Sequence, residues 1–243
     1  GQVGEWTEAR NAFYKAVELL PASGTAWAML GEAQQQTGED GKASLDKAQQ
    51  IDPGGEIVNG LLALYYRRQG NIQLAMEMLE KAAAANPGAP VWQIEAANTV
   101  ALLGDLDKAV EHFNLAVVID REDYSTWQAY ARFCITHNYK VDTLGLTAAR
   151  QALLLQPNDP VLIDLLGTAY LVVGDLDSAE RLFLQALELD NEEAAILIHL
   201  GQVYLMRADT DTALDYLRRA AASATDERLR SMANTLIAKN GGQ

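Results

Sequence analysis

The sequence predicts an all-α protein built from a tandem repeat, and three observations carry this prediction. Of 243 residues, 39 are Ala and 34 are Leu, and both are strong helix formers. Gly, with 18 residues, and Pro, with 6, are too few for a linker-rich or disordered chain. Small residues also recur at a nearly fixed spacing along the chain, which indicates a stack of similar units.

The repeat is 34 residues long. Its clearest marker is a Gly followed five residues later by an Ala, as at Gly104 and Gly174, with a second small residue seven positions after that Ala. The second small residues are spaced by 32, 34, 34, 36, 34 and 34 residues: Ala16, Ala48, Ala82, Ala116, Ala152, Ala186 and Ala220. This spacing predicts six full repeats, at 24–55, 56–89, 90–123, 124–159, 160–193 and 194–225.

Each repeat divides into two amphipathic helices, and the repeat at 160–193 shows why. Asp159 can cap a helix that begins at Pro160, because Pro is tolerated at the first helical position. Gly174 suits a left-handed helix end, and Asp175 can cap the returning helix. Small and aromatic residues then alternate on the inner face of that second helix, at Ala179, Phe183 and Ala186.

Two repeats depart from the period. The repeat at 24–55 is two residues short around 38–43, and the repeat at 124–159 is two residues long around 138–143. In the longer repeat, Gly145 replaces the close-packing Ala. We expect changes of local geometry at these two places and an unaltered fold elsewhere.

The first 23 residues read as the second half of a repeat. The apolar side of the predicted helix 4–20 includes Trp6, Phe13, Tyr14 and Val17. A terminal unit of a solenoid needs a polar outer face, and this helix lacks part of its cover. We therefore expect further repeats, another molecule or a second copy of the chain to cover it, which makes a homo-oligomer through this edge a possible assembly.

The last repeat is followed by a predicted capping helix at 226–239. Its apolar residues fall at helical spacing on one face, while charged and polar residues take the other face. The predicted packing residues are Leu229, Met232, Ala233, Leu236 and Ile237.

The repeated residues resemble the tetratricopeptide repeat (TPR) family over nearly the whole chain. That family carries Trp or Leu, Leu, Gly and Tyr on one helix, and Ala, Phe and Ala on the next. Matching positions include Trp27, Leu30 and Gly31, and later Leu200, Gly201, Tyr204, Ala213, Leu217 and Ala220. The resemblance implies a right-handed α-α superhelix, a TPR solenoid, that binds a protein or peptide along a concave groove lined by the first helices.

The resemblance also implies which residues face that groove, at one, two and five positions after the Trp or Leu position. We add Arg67 and Arg68, because these two residues and Arg132 are expected to orient acidic groups of a partner. The candidate groove residues are then Met29, Glu32, Leu61, Leu64, Arg67, Arg68, Glu95, Asn98, Gln128, Arg132, Asp164, Leu165, Thr168, His199 and Gln202. Two interpretations of the apolar positions Leu61, Leu165 and Ile198 stay open. They either pack against neighbouring helices or form a hydrophobic strip that accepts a partner.

No catalytic or cofactor chemistry is predicted. Cys134 and His137 lie three residues apart, but Cys134 takes a position where other repeats place Tyr, so a buried packing role is favoured over a nucleophile or metal ligand. We expect His112 to be solvated on the convex side and His199 to face the groove. Three separated His and one Cys do not make a zinc site within one chain, and no phosphate-binding loop or nucleophile motif occurs.

Charge and composition limit the partners. The formal net charge of −14 argues against nucleic acid, which requires clustered Lys and Arg. The apolar runs are shorter than a bilayer requires. The unpaired Cys134 fits a reducing cytoplasm, and a processed periplasmic protein stays open. The expected function is a non-enzymatic scaffold that binds protein. The alternatives are a recognition fragment of a larger multidomain enzyme, since the chain lacks an initiator Met, and a self-assembling structural protein.

Overall fold

The computed structural model describes residues 2–189 and 193–241, and all regular secondary structure in these ranges is helical. The all-α prediction is confirmed. The helices are α1 (Gln2–Leu19), α2 (Gly24–Gln36), α3 (Lys42–Ile51), α4 (Glu56–Arg68), α5 (Ile72–Ala85), α6 (Val91–Ala101), α7 (Leu106–Ile119), α8 (Tyr124–Thr136), α9 (Leu146–Leu155), α10 (Pro160–Val173), α11 (Leu176–Leu189), α12 (Ala194–Met206), α13 (Thr210–Ser223) and α14 (Glu227–Lys239), with a π-helix at Val141–Gly145.

The predicted repeats each contain one pair of packed helices. The pairs are α2 with α3, α4 with α5, α6 with α7, α8 with α9, α10 with α11, and α12 with α13. Asp159 caps α10 through the backbone amide of Val161, with Pro160 at the first helical position, and Gly174 ends α10 in a left-handed conformation. The local signals of the sequence therefore act as expected in this repeat.

The helices group into two compact units, Gly1–Arg121 and Glu122–Gln243. Unit 1 contains α1 to α7, and unit 2 contains α8 to α14. The expectation of one continuous solenoid stays a prediction. Within each unit, small residues at the repeat's close-packing position are fully buried, as at Ala75 and Ala109 in unit 1 and Ala179 and Ala213 in unit 2.

Glycine takes the close-packing position in the two repeats of irregular length. A Cβ on Gly41 would lie 2.0 Å from the carbonyl oxygen of Gly31, so only Gly allows these two backbones to approach. A Cβ on Gly145 would lie 3.1 Å from the Cβ of Cys134. The approach in unit 1 is therefore much tighter than the approach in unit 2.

The two extra residues of the fourth repeat are absorbed before α9. Asn138 and Lys140 both adopt positive φ angles, 47° and 48°, and the chain then forms the π-helix at Val141–Gly145. π-helices are rare and occur mostly as single turns within α-helices, and this one leads directly into α9. The helix-turn-helix arrangement is kept, as the sequence predicted.

The two ends of the chain are packed to different degrees. Helix α1 packs against α2, and its Val17 is buried. The exposed Tyr14 of α1 accepts a hydrogen bond from Gln34 of α2. A covering molecule for the rest of this helix stays a prediction. In α14, Leu229, Leu236 and Ile237 pack around buried Ala233. Met232 is exposed, so its predicted place in the packing face is wrong. Among the described residues, no helix combines the length and apolarity needed to span a membrane.

Candidate functional site

In unit 1, the first helices are linked by ion pairs. Arg68 on α4 donates two hydrogen bonds to Glu32 on α2, with Nη2 2.6 Å from Oε1 and Nη1 2.7 Å from Oε2. Gln36 donates a third hydrogen bond to Glu32. Glu32 is only 8% exposed. A two-point pairing of Arg with a carboxylate in a partly desolvated position is strong and directional.

The electrostatics of Glu32 follow from this pairing. Burial alone would raise the pKa of the Glu32 carboxyl, but the hydrogen bonds from Arg68 and Gln36 outweigh burial and lower it. The hydrogen bond to Glu32 raises the pKa of Arg68. Both groups are therefore charged at neutral pH and compensate each other.

A second ion pair joins α4 to α6, where Nη1 of Arg67 lies 2.5 Å from Oε2 of Glu95. Arg67 and Arg68 thus both hold carboxylates of their own chain. The expectation that they orient acidic groups of a partner is corrected by these contacts. Both arginines lie on α4, and their charges are compensated within unit 1.

The remaining candidate residues of unit 1 differ in exposure. Met29 and Asn98 are exposed, and Leu64 is half-buried. Leu61 is half-buried and packs against the core cluster of unit 1. This contact agrees with the packing interpretation of Leu61, and unit 1 presents only scattered apolar groups on this face.

In unit 2, the first helices α8, α10 and α12 pack side by side. Nδ1 of His199 on α12 lies 2.6 Å from Oδ1 of Asp164 on α10. The imidazole ring also lies 5.2 Å, centroid to centroid, from the ring of Phe183, which is fully buried. Two contacts therefore fix the position of His199.

Arg132 on α8 is the one arginine among the candidate residues that is exposed and has no ion pair or hydrogen bond within the described chain. It borders a cleft of about 360 Å3 between the first helices of unit 2. The cleft is lined by Arg132, Pro160, Val161, Asp164, Glu193, Ala195, Ile196 and His199. We call it the Arg132 cleft. Its wall combines the unpaired guanidinium of Arg132, the Asp164–His199 pair, the carboxylate of Glu193, which caps α12 through the amide of Ala195, and apolar side chains.

The other candidate residues of unit 2 divide into two groups. Gln128, Thr168 and Gln202 are half-buried polar side chains on the first helices. Leu165, by contrast, is 5% exposed, and the neighbouring Ile198 is 1% exposed. These two residues pack within the stack of helices. The hydrophobic-strip interpretation is therefore wrong for them.

Sequence reasoning missed several residues that line the Arg132 cleft. Pro160 and Val161 lie in the first turn of α10, and Ala195 and Ile196 lie in the first turn of α12. The resemblance placed groove residues only from Asp164 onward in α10. The predicted helix start at Asp159 and Pro160 could have identified Pro160 and Val161, because the first turn of α10 lies at the end of the first-helix face.

The reactive side chains have structural roles. Cys134 is fully buried, which confirms its packing role, and burial raises the pKa of its thiol to about 12. A thiol that stays protonated at neutral pH is a poor nucleophile. His112 is half-buried, with Nδ1 2.8 Å from Oε1 of Gln93, which corrects its expected solvated position. Within residues 2–189 and 193–241, no cluster of His, Cys, Asp and Glu could hold a metal ion.

Comparison with known proteins identifies the repeat. Tetratricopeptide repeat profiles match residues 66–132 and residues 160–226. The chain is similar to BBSome complex member BBS4 of Mus musculus, with 30% identity over 144 residues, which cover 59% of this chain and 27% of that protein. It is also similar to Protein O-mannosyl-transferase TMTC1 of Homo sapiens, with 25% identity over 82% of this chain and 23% of that protein. The chain spans about a quarter of the length of these relatives.

A solved structure agrees with these matches. The crystal structure of the APC/C hetero-tetramer Cut9-Hcn1 contains a chain that superposes on this one with a TM-score of 0.68 and 18% identity. The superposition covers 98% of this chain and 47% of that chain. At this level of identity, the likeness establishes the fold.

Proposed function

Because the chain belongs to the tetratricopeptide repeat family, we propose that it is a protein-interaction scaffold whose Arg132 cleft holds a segment of a partner protein. Two similar proteins are named as members of assemblies, the BBSome complex and the APC/C. A scaffold of this kind requires a surface that is concave, partly apolar and not satisfied by its own chain. The Arg132 cleft has these three properties.

The observation that carries the proposal is the free charge of Arg132. Guanidinium groups on a face between packed helices usually find a carboxylate, as Arg67 and Arg68 do. Two carboxylates line the cleft, and both have partners of their own: Asp164 is bonded to His199, and Glu193 accepts a hydrogen bond from the backbone amide of Ala195. Arg132 is therefore available to an acidic side chain of a partner, and Val161 and Ile196 offer an adjacent apolar contact.

Selection of peptides from a random library on the purified protein tests this proposal. We expect the selected peptides to combine an acidic residue with an apolar residue. Arg132→Glu should weaken their binding by about tenfold or more, because it replaces an attractive contact by a repulsive one. Fluorescence anisotropy with labelled peptides measures the change.

Arg228→Glu is the matched control, since Arg228 is an exposed arginine on α14 of the same unit and lies outside the cleft. Its substitution changes the net charge by the same amount. Equal losses for the two variants would mean that long-range charge, and not the cleft, determines binding. Unchanged binding for Arg132→Glu would refute the proposal.

A second candidate function is supported by the similarity to the O-mannosyl-transferase, which extends over 207 residues. In this alternative, the repeats form the recognition part of a larger enzyme, and the same cleft would hold the protein to be modified. The tetratricopeptide fold itself is typical of non-catalytic scaffolds. The reading frame around the coding sequence distinguishes the two candidates, because only the second requires a catalytic domain in the same protein.

A further inference from the structure

A second cleft of unit 2 lies at the opposite ends of α10 and α12. It has a volume of about 430 Å3 and is lined by Leu171, Val172, Gln202, Leu205 and Met206. Val172 follows Asp164 by eight residues on α10, which corresponds to about 12 Å along a helix. We call this the Met206 cleft. It is largely apolar, whereas the Arg132 cleft combines apolar and charged side chains.

Two apolar side chains of the Met206 cleft are open to solvent. Met206 is 58% exposed and Val172 is 40% exposed. These two residues are adjacent to a half-buried Leu205 and a buried Leu171. Neighbouring apolar side chains that remain exposed at a concave site are typical of a surface that binds another molecule. A flexible Met side chain suits such a surface because it adapts to different apolar groups.

The surroundings of the Met206 cleft are acidic. We call two stretches the acidic turns: residues 174–181, the turn after α10 with the first residues of α11, and residues 207–211, the turn after α12 with the first residues of α13. Together they carry five carboxylates and two arginines. One of these arginines, Arg207, is 2.5 Å from both Asp177 and Glu180, so it bridges the two turns and its charge is compensated. Asp175 and Asp209 are exposed, and their carboxylates cap the following helices through backbone amides.

The charge of one of these carboxylates is maintained at low pH. Hydrogen bonds from Ser178 lower the pKa of Asp175, so this carboxylate keeps its charge in mildly acidic solution. An apolar surface bordered by negative charge is complementary to an apolar segment bordered by positive charge. Anionic lipid is repelled by the same border.

We propose that the Met206 cleft binds a basic amphipathic segment of a partner protein, with a Leu-type or Met-type side chain in the cleft and Lys or Arg next to the acidic turns. This site is separate from the Arg132 cleft and requires no binding there. The same scaffold would then hold an acidic segment at one end of α10 and α12 and a basic segment at the other.

The test uses a labelled synthetic helical peptide of Leu and Lys, with all Leu on one face, and measures its affinity by fluorescence anisotropy at about 0.15 M salt. Met206→Glu should weaken binding by about tenfold, since it removes an apolar contact. This substitution also adds a negative charge, which would strengthen binding that depended on charge alone. Val172→Glu should act in the same way, and it provides a second variant if one of the two alters folding.

Leu154→Glu is the matched control, because Leu154 is 71% exposed on α9 of the same unit and lies outside the cleft. It should leave affinity within about twofold of the original. The double variant Asp175→Asn with Asp209→Asn keeps both helix caps and removes two charges, and it should weaken binding by about threefold. Arg132→Glu should leave this peptide bound as before.

Three results would overturn the proposal. The first is that the Met206→Glu and Leu154→Glu variants bind the Leu and Lys peptide with equal affinity. The second is that the original protein binds a scrambled peptide of the same composition as tightly as the Leu and Lys peptide. The third is that it binds a Leu and Glu peptide as tightly as the Leu and Lys peptide. The first would exclude the cleft, the second would exclude an amphipathic segment, and the third would exclude recognition by charge.

Discussion

The two units use the same helical face in opposite ways. In unit 1, Glu32, Arg68, Arg67 and Glu95 form two ion pairs that join three first helices. In unit 2, one pair, Asp164 with His199, joins α10 to α12, and Arg132 is left exposed beside a cleft. On this face, unit 1 therefore pairs both of its candidate arginines, whereas unit 2 leaves Arg132 unpaired among the described residues.

The difference shows that candidate residues on the same face of different repeats differ in their contacts. A charged side chain is compensated when a neighbouring helix supplies the opposite charge, as for Arg67 and Arg68. It stays exposed when the carboxylate of the neighbouring helix is bonded elsewhere, as for Arg132 beside Asp164. Residue type and repeat position alone do not reveal which of the two occurs.

The largest effect on stability is expected at the two close-packing glycines. A Cβ on Gly41 in unit 1 would meet a backbone carbonyl, whereas a Cβ on Gly145 in unit 2 would meet only side chains. Gly41→Ala should lower the free energy of unfolding by about 3 kcal/mol, because the added methyl group would overlap a carbonyl oxygen that cannot move away. Gly145→Ala should change it by less than about 1 kcal/mol, since a small shift and better helix propensity offset each other. Urea denaturation measures both. Equal losses would contradict the difference in packing between the units.

The next effect concerns the closed charge pair of unit 1. Glu32→Gln should lower the free energy of unfolding by about 2 kcal/mol, because it removes the charge that accepts two hydrogen bonds from Arg68. The matched control is Glu77→Gln, in an exposed pair with Lys81, and should cost less than about 0.5 kcal/mol. If both variants had the same denaturation midpoint, the ion pair would not stabilise unit 1.

The pH dependence of this pair has a definite sign. Since folding lowers the pKa of Glu32, its contribution is fully present above the unfolded pKa of about 4.3 and is lost as the pH falls through the folded value. The stability difference between the original protein and Glu32→Gln should thus be constant from pH 7 to 5 and shrink below pH 4. A difference that grows towards acidic pH would contradict the charge assignment.

The smallest effect concerns the residues that adopt a positive φ in the turns within each helix pair. The turns between paired helices in unit 1 have Gly at the left-handed position, whereas unit 2 has Asn138, Gly174 and Ala208. Ala208→Gly should raise the free energy of unfolding by about 0.5 kcal/mol. The steric strain that Ala208 has at its positive φ is relieved, and this gain exceeds the extra conformational entropy that Gly loses on folding. The reverse change, Gly104→Ala, should lower it by about 1 kcal/mol. A loss of stability in Ala208→Gly would show that this turn is not strained.

Much of the fold could be predicted because helix periodicity and capping are local. The capping helix, predicted at 226–239, occupies Glu227–Lys239, and the predicted helix start at Pro160 is observed. The irregular fourth repeat was located by its two extra residues. Its π-helical form could not be predicted, because it depends on how Asn138 and Lys140 fit against the rest of unit 2.

The candidate site was less predictable. The sequence identified Arg67, Arg68 and Arg132 as charges on the first-helix face, but not which of them are paired. Pairing depends on distances between side chains that are 28 to 36 residues apart. The burial of Leu165 and Ile198 likewise depends on how closely α10 and α12 pack, which the repeat pattern does not specify.

The most direct test of this account compares one substitution in the two units. The affinity of one selected acidic peptide is measured by isothermal titration calorimetry for the original protein, for Arg132→Gln and for Arg68→Gln. The account predicts that Arg132→Gln binds about tenfold more weakly, which corresponds to about 1.4 kcal/mol. Arg68→Gln should lower stability and leave affinity within about twofold. Loss of affinity in Arg68→Gln with none in Arg132→Gln would contradict the account.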